Sequence, residues 1–328
     1  STSLPVSEVA FAAGFGSVRQ FNDAARAAWA LTPSQVRGRS SGPRPQDGPG
    51  ATRIELRLRH RRPCDVARTL GFVGARAVEG VETWDGVAYG RTMRLPHGGA
   101  TVTLRPGDGV ALATLELADV RDLGTAVARC RRLLDLDADP AAVAEALGAD
   151  PLLAPLVEAA PGLRVPGAVD AFEMVVRAVV GQQVSVAGAR RVLGHVVREH
   201  GDGAGFPPPE ALADVDPGRG LMPRARWRAI SAAARAMLAG DLDLSPGADR
   251  AQARRALLAV PGIGPWTAEY VALRALGDPD AFPAGDLVLQ RAAGLTAGEL
   301  TARAEAWRPW RAYAALHLWT ATSEGRLS

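Results

Sequence analysis

The spacing of the hydrophobic residues changes once along this chain, near Val120, and this change limits the possible folds more than any other feature. Over residues 53–117 apolar and polar residues alternate, as in the stretch that begins at Ile54, which is the pattern of strands with one buried face. A short helical stretch, CDVARTLGF, interrupts these strands. After Val120 the apolar residues recur about every 3.6 positions, as in amphipathic helices. The sequence therefore predicts an antiparallel α+β unit followed by a larger all-helical unit.

The length and composition are those of a globular protein with two or three domains. The chain has 328 residues, of which 47% are hydrophobic, and a net charge of +3. It has no run of about 18 apolar residues, and its first residues lack the pattern of a signal peptide, so we expect a cytoplasmic protein with no membrane partner. Cys64 and Cys130 are too few for a disulfide framework and are not spaced as a zinc site. The five histidines also lack the spacing of metal ligands.

All 38 basic residues are arginine, so the sequence contains no lysine. A GC-rich genome explains this composition without any functional reason. The chemical consequence is the same in either case, because no lysine amine is present to form a Schiff base with a substrate. Arginine remains well suited to contacts with phosphate.

The N-terminal part of the chain separates from the rest by its composition. Residues 39–52 are rich in proline, glycine and serine and predict a linker that cannot form a core. Before it, residues 1–38 predict two short helices joined at Gly14, with Ser17 as the N-cap of the second. The pair has the proportions of a helix-turn-helix, although any small helical hairpin has similar spacing. Because the first residues resemble the middle of a domain, we expect the chain to be a fragment of a longer protein.

The stretch LLAVPGIGPWTAEYVALRAL, which begins at Leu257, predicts two helices joined by a tight turn. Gly262 and Gly264 flank Ile263, and glycine suits a turn that needs positive φ or leaves no room for a Cβ atom. The second helix would begin with free amides, which favour a phosphate. A nucleotide-binding G-x-G-x-x-G loop does not fit, because Thr267 stands at the third glycine position and the preceding segment is helical. A purely structural turn stays open.

Several other segments accompany this hairpin: VDAFEMVVRAVVGQQVSVAGARRVL before it, and AFPAGDLVLQRA and WRPWRAYAALHLW after it. Together they resemble the helix-hairpin-helix DNA glycosylases, and among these the bacterial AlkA-type DNA-3-methyladenine glycosylase II family, over roughly residues 54–321. The resemblance implies a TBP-like antiparallel α+β domain over residues 53–118 and an all-helical glycosylase domain over residues 119–328. It also implies base excision repair of double-stranded DNA that contains alkylated bases, with no required cofactor.

The resemblance assigns catalysis to Asp286, which ends the Gly/Pro-rich loop after the hairpin. An aspartate at this position is also an ordinary helix N-cap, and the two roles are compatible. Excision stretches the glycosidic bond until the sugar becomes cationic, and a carboxylate stabilises that cation. Lysine-bearing relatives cut the strand through an imine, and their lysine falls where this chain has Trp266. We therefore expect a monofunctional enzyme that leaves an intact abasic site for a downstream endonuclease.

The resemblance also implies which residues flip and hold the damaged base. Gln183, with Gln182 beside it, would fill the gap that the flipped nucleotide leaves in the duplex. The base pocket would consist of four aromatic residues: Trp266, Tyr270, Trp319 and Phe72. Aromatic faces attract the positive charge of N-alkylated purines, which predicts activity on a broad range of damaged purines. Aromatic residues at helical spacing are otherwise usually core residues, and that role stays open for Tyr270.

Contacts to the DNA backbone are expected from the hairpin. By resemblance, amides or a hydroxyl would reach a phosphate from Gly262, Gly264 and Thr267. Hairpin carbonyls in this fold commonly hold a structural monovalent cation, Na⁺ or K⁺. By position, those carbonyls would belong to Leu258, Val260 and Ile263.

The stretch GFGSVRQFNDAARAAWALTPSQVR, near the N-terminus, resembles the last helix-turn-helix of AraC-type transcription factors. By that resemblance, the residues that face DNA would be Ser17, Arg19, Gln20 and Asn22. Such an element ahead of a glycosylase is similar to the fusion proteins of the bacterial adaptive response. We therefore expect the first 38 residues to be a partial helix-turn-helix.

Two other functions stay open from the sequence. A non-catalytic, DNA-binding regulator of the alkylation response would need neither Asp286 nor a pocket. A helix-hairpin-helix scaffold module would bind DNA without flipping a base, and it would leave the GQQV loop and Trp319 unexplained. A DNA glycosylase accounts for all of these features, and we expect it to be a monomer that works at the nucleoid.

Overall fold

The computed structural model describes the chain in four ranges, residues 5–12, 17–29, 51–216 and 221–327. They contain two N-terminal helices, then a five-stranded sheet with an inserted helix, and then a long helical region. The predicted fold class is confirmed. Within these ranges, no helix combines the length and the apolar character that crossing a membrane would require.

The two N-terminal helices are α1 (Val6–Ala12) and α2 (Val18–Trp29). Ser17 caps α2 as predicted, since its hydroxyl oxygen accepts the amide of Gln20 at 3.2 Å. On α1, Ala10 is fully buried. The predicted turn at Gly14 and nearly all of the predicted linker lie outside the described residues.

The sheet is antiparallel throughout, with the spatial order β1-β5-β4-β3-β2. Its strands are β1 (Thr52–Arg59), β2 (Glu82–Trp84), β3 (Tyr89–Leu95), β4 (Gly98–Gly107) and β5 (Val110–Leu117). In strand β5, which lies between β1 and β4, Leu115 pairs with Ile54 on one side and with Val102 on the other, and all three side chains are buried. The alternating pattern of the sequence therefore becomes one apolar face.

Two helices cover the apolar face of the sheet. Helix α3 (Val66–Gly74) is the one predicted from CDVARTLGF, and Asp65 caps it by accepting the amide of Arg68 at 2.8 Å. Helix α4 (Leu123–Leu133) follows a 3₁₀ turn and belongs to the same hydrophobic core. The change of hydrophobic period thus marks where strands end, while α4 still packs on the sheet.

The helical region continues to the C-terminus. Its helices are α5 (Pro140–Gly148), α6 (Ala154–Ala159), α7 (Ala171–Val180), α8 (Val186–His200), α9 (Pro209–Leu212), α10 (Arg224–Ala239), α11 (Arg250–Ala259), α12 (Pro265–Arg274), α13 (Leu287–Ala293), α14 (Ala297–Ala304) and α15 (Arg311–Ser323). One core contains the buried Trp227 of α10, and a second contains the buried Trp307 beside α15. The hairpin of α11 and α12 packs on the first core through Ile263.

A buried ion network joins the sheet to the helical region. Arg91 of β3 contacts Glu173 of α7 at 2.7 Å, and Arg177 of α7 contacts Glu82 of β2 at 2.6 Å. Burial raises the pKa of Glu173, but the charges of Arg91 and Arg177 outweigh it and lower the pKa to about 2. The network holds the two parts of the protein in one arrangement around the cavity described next.

Candidate active site

A cavity of about 380 Å³ lies between the sheet domain and the helical region. This volume is in the range of pockets that bind small organic groups. All five residues that the sequence placed at the base and the sugar line it: Phe72, Trp266, Tyr270, Asp286 and Trp319. The fold therefore brings together side chains from α3, α12, α15 and the loop before α13.

Asp286 caps α13 and also lines the cavity, so the predicted N-cap and the predicted site residue coincide. Its Oδ1 atom accepts the amides of Val288 at 2.9 Å and Leu289 at 3.0 Å. The indole Nε1 of Trp266 donates to Oδ2 at 2.8 Å, and that of Trp319 donates to Oδ1 at 3.2 Å. Four N–H groups thus fix the carboxylate, while Oδ2, with one donor, keeps a free lone pair.

The aromatic side chains of the cavity lie in a definite order. Trp266 and Tyr270, one turn apart on α12, stack with ring centroids 5.1 Å apart and planes 9° apart. Tyr270 meets Trp319 edge to face at 6.2 Å. A base therefore has no room between Trp266 and Tyr270 and would have to stack on this pair from one side. Tyr270 also packs against the helical core, so it has the structural role that stayed open as well as a place in the cavity.

Two arginines that the sequence did not single out also line the cavity. The guanidinium carbon of Arg76 lies 3.7 Å from the ring centroid of Phe72, and that of Arg274 lies 5.1 Å from it. Arg274 also donates to the hydroxyl of Tyr270 at 2.8 Å. Each arginine follows an aromatic residue of the cavity by four positions, and that spacing is the signal that could have revealed them.

The loop between α7 and α8 carries the predicted wedge. Gln183 is exposed, and its φ of 55° is a conformation that non-glycine residues rarely adopt. Gln182 turns away toward the hairpin, where its Nε2 donates to the hydroxyl of Thr267 at 2.9 Å. The backbone carbonyl of Gln182 accepts a hydrogen bond from Arg226. Gln182 thus ties the loop to the protein, and its predicted place in the DNA beside Gln183 stays a prediction.

The hairpin turn requires glycine at one of its two predicted positions. Gly262 has a φ of 92°, and a Cβ atom there would lie 2.8 Å from the Cβ of Ala229. Gly264 has a φ of −92° and open space around it, so other residues would fit. The expectation that both glycines are needed for the turn is wrong for Gly264.

At the start of α12, the predicted anion-binding groups differ in how exposed they are. Gly262 and Gly264 are exposed, and Gly264 is the N-cap of a helix whose first amides have no partner within it. Thr267 is 2% exposed, and its hydroxyl oxygen accepts from Gln182. The hydroxyl of Thr267 therefore faces the protein in this structure, and its contact with a phosphate, like the contacts through backbone amides, stays a prediction.

Exposed apolar side chains surround the mouth of the cavity. Leu287 and Val288 directly follow Asp286, and Val184 and Val186 flank the wedge loop and line the cavity. A group of exposed apolar residues commonly marks a binding surface. No pattern in the sequence singles them out, because isolated apolar residues of this kind are common in helices and loops.

The residues of α2 that were predicted to face DNA lie at its beginning. Ser17, Arg19 and Gln20 are exposed, and Asn22 is half-buried. Their contact with DNA stays a prediction.

Neither cysteine is a reactive thiol. Burial raises the pKa of Cys130 to about 12 and also raises the pKa of Cys64, so both stay protonated near neutral pH. In the part of the chain that the structure describes, no three histidine, cysteine or acidic residues come together as a metal site.

The chain is similar in sequence to known DNA repair proteins. Residues 55–170 match the family model of the AlkA N-terminal domain. The DNA-3-methyladenine glycosylase 2 of Escherichia coli is 40% identical over 272 residues, which cover 78% of this chain and 94% of that protein. The "Probable bifunctional transcriptional activator/DNA repair enzyme AlkA" of Mycobacterium tuberculosis is 48% identical over 334 residues, which cover 98% of this chain and 67% of that protein.

Among solved structures, the chain is similar to a 3-methyladenine DNA glycosylase from Archaeoglobus fulgidus. The TM-score is 0.69 at 21% identity, and the match covers 81% of this chain and 97% of the other. At this level of identity the likeness concerns the fold. It includes both the sheet and the helical region.

Proposed function

The chain belongs to the AlkA family of DNA-3-methyladenine glycosylases, and from this premise we propose that it excises alkylated purines, above all 3-methyladenine and 7-methylguanine, from double-stranded DNA. It is a DNA glycosylase of base excision repair. The reaction hydrolyses the N-glycosidic bond and leaves an abasic site, which an abasic-site endonuclease must then process. Such a substrate places its work at the nucleoid, and the chain would act as a monomer.

The observation that carries this proposal is the fixed carboxylate of Asp286 in the wall of a cavity. As the bond to the base stretches, the sugar gains positive charge. A carboxylate about 4 Å from that charge, at an effective dielectric constant of about 20, contributes about 4 kcal/mol. This free energy corresponds to about a thousandfold in rate. Because four N–H groups already hold the carboxylate in place, little reorganisation is needed during the reaction.

The target base must leave the duplex before it can enter the cavity, which costs a few kcal/mol. Gln183 would occupy the vacated space, since its side chain is exposed at the tip of the loop. The bound Gln182 supports this role by fixing the loop to the hairpin. The stacked pair of Trp266 and Tyr270 offers a flat surface to the flipped base.

Strand cleavage through an imine is not expected from this chain. The route needs a lysine amine, and the sequence has none. Trp266, at the position where lysine-bearing relatives carry that amine, instead donates its N–H to Asp286. The enzyme is therefore expected to be monofunctional, with water as the group that attacks the sugar.

The hairpin would hold the DNA backbone downstream of the lesion, through the exposed start of α12. A monovalent cation, Na⁺ or K⁺, would bind the carbonyls of Leu258, Val260 and Ile263. Uncharged carbonyl oxygens suit such an ion. The carbonyl of Val260 accepts the amide of Ile263 at 3.1 Å and keeps its second lone pair for the ion.

A non-catalytic regulator explains neither the cavity nor the fixed carboxylate, so the glycosylase is the better supported function. The direct test is incubation of the purified chain with methylated duplex DNA, with free bases and strand breaks measured in the same samples. We expect free 3-methyladenine and 7-methylguanine, and strands that break only after heating in alkali. Absence of released bases would contradict the proposed substrate. Strand breaks made by the enzyme itself would contradict the monofunctional mechanism.

A further inference from the structure

The cavity holds two arginines that pair with no carboxylate of the described residues. Arg76 and Arg274 both line the cavity, and among the described residues neither forms an ion pair. The arginines of the ion network beneath, Arg91 and Arg177, are by contrast paired with glutamates. An unpaired buried cation is costly, so it usually has a partner that binds there.

The two unpaired arginines differ in how far their N–H groups are used. Arg274 is 7% exposed and donates to the backbone at Pro166, to the carbonyl of Gly167 at 3.5 Å and to Tyr270. Arg76 is half-buried, and its side chain donates to the carbonyl of Phe72 at 3.0 Å. A guanidinium has five N–H donors, so Arg76 keeps several for a ligand.

The surroundings of Arg76 disfavour its charged form and place it against an aromatic ring. Burial lowers the pKa of Arg76 below its ordinary value; Tyr270 opposes this shift in part, and the charge of Arg274 adds a smaller lowering effect. Its guanidinium lies over the ring of Phe72. That ring is one of the aromatic surfaces expected to attract a cationic purine, and a cation already occupies it.

We propose that Arg76 is a specificity-determining residue of the base pocket, which favours neutral purines with a hydrogen-bond acceptor turned toward it and weakens the binding of cationic N-alkylpurines. This inference rests on the proposed function. A neutral 6-oxopurine such as hypoxanthine has the required acceptor. A positively charged 7-methylguanine would meet a like charge when it enters the pocket.

The charge of the base changes during bond cleavage, so Arg76 can affect substrate binding and the chemical step differently. When the bond between C1′ and the base nitrogen breaks, the bonding pair stays with the base, whose charge falls by one. A cationic purine leaves as a neutral base, and water then adds to C1′ and releases a proton to solvent. A neutral purine takes up negative charge as it leaves, and it gains the proton that the attacking water loses. In both cases Arg76 stabilises the transition state relative to the bound substrate.

Arg76→Gln therefore has opposite effects on the binding of the two substrate classes. We expect the single-turnover rate constant at saturation to fall about tenfold for both. The half-saturating enzyme concentration should fall severalfold for 7-methylguanine and rise severalfold for hypoxanthine. The two duplexes should be identical except at the lesion, so that DNA backbone contacts cancel.

Two further variants serve as controls for the position and for the charge of Arg76. Arg68→Gln is the matched control, because Arg68 lies on the same helix α3 but outside the cavity, where it pairs with Asp65 at 3.3 Å. It should leave all four constants unchanged. Arg76→Lys keeps the charge and should keep the difference in binding between the two substrates. A folding defect would lower the active fraction for both substrates alike and would not change their ratio.

Equal changes in half-saturation for the two substrates in Arg76→Gln, or none, would overturn the role of Arg76. So would the same result in Arg76→Lys as in Arg76→Gln. If the unmodified protein released neither base, the proposed function itself would fail. A protein that releases bases with unaltered selectivity in the variant refutes only this inference.

Discussion

The two walls of the cavity are built in opposite ways. The helical wall presents Asp286, whose oxygens are held by two backbone amides and two indoles. The sheet wall presents Phe72 with the guanidinium of Arg76 over its ring, and no acidic residue that the structure describes pairs with this guanidinium. The helical wall thus holds a fixed carboxylate, whereas the sheet wall holds a cation that keeps free donors.

This difference matches the separation of charge that bond cleavage produces. The sugar becomes cationic, while the base takes the electron pair. A cavity with a carboxylate on one side and a guanidinium on the other stabilises both changes, provided that the base enters toward the sheet wall. Preorganised charges of this kind act strongly because they do not have to reorient during the reaction.

The largest expected effect concerns the attachment of the sheet wall. Arg91→Met leaves the buried Glu82 and Glu173 with one fewer partner, which should lower the free energy of unfolding by about 3–5 kcal/mol. Arg94→Met is the control, because Arg94 pairs with Asp202 at the surface, where an ion pair contributes about 0–1 kcal/mol. Urea unfolding of both variants measures the difference. Equal losses would show that the network does not anchor the sheet wall.

Between pH 6.5 and about 5, acid should change the stability of the helical wall mainly through two groups at helix α15. Helix α15, which carries Trp319, also carries the buried His317. Burial lowers the pKa of this histidine from 6.5 to about 4. Between these pH values the unfolded chain binds a proton before the folded protein does, so acidification destabilises by up to about 3 kcal/mol. Asp135 accepts a hydrogen bond from the hydroxyl of Tyr313 on α15. Burial raises the pKa of Asp135 from 3.8 to about 6. Between these two pH values, the folded protein binds a proton at Asp135 before the unfolded chain does. Acidification therefore stabilises the folded protein through Asp135.

Two variants separate these opposing contributions. His317→Gln should make the free energy of unfolding rise as the pH falls from 6.5 to about 5, and Asp135→Asn should make it fall more steeply than in the unmodified protein over the same range. Urea unfolding at several pH values measures the slopes, which do not depend on any constant loss from the substitution. Glu173, whose pKa is lowered from 4.5 to about 2, adds its own slope only as the pH nears 4.5, and that slope is the same in all three proteins. Slopes identical to that of the unmodified protein would contradict this account of α15.

A smaller effect tests how the carboxylate is held. Trp266→Phe keeps a ring against Tyr270 but removes the N–H that donates to Asp286 at 2.8 Å. A hydrogen bond to a charged group contributes about 1.5–3 kcal/mol, so the rate of base release should fall about ten- to a hundredfold with little change in DNA affinity. Trp310→Phe, on a tryptophan that packs against Tyr313 outside the cavity, is the matched control. Equal rates in the two variants would show that the indole does not position the carboxylate.

Much of the fold follows from patterns that are local in the sequence. The change of period near Val120, the cap at Ser17 and the hairpin at Gly262 each depend on residues close together in the chain, and each was predicted. Asp286 as an N-cap is of the same kind, because a cap requires only the amides that follow it. Its place in a cavity was reached through the family resemblance.

The features that the sequence did not predict depend on contacts between distant segments. Arg76 and Arg274 meet over Phe72 only because α3 and α12 face the same cavity. Gln182, in the loop before α8, contacts Thr267 in the first turn of α12, and no local pattern shows which glutamine turns inward. Gly264 looks like Gly262 in the sequence, but only Gly262 lies against Ala229.

The central claim is that Asp286 stabilises the cationic sugar, and Asp286→Asn tests it most directly. The amide keeps the size of the side chain and can still accept the amides of Val288 and Leu289, but it carries no charge. In single-turnover release of 7-methylguanine from duplex DNA, we expect the rate constant to fall about a thousandfold while DNA affinity is preserved. A variant that binds the same DNA and releases the base at the rate of the unmodified protein would contradict the account.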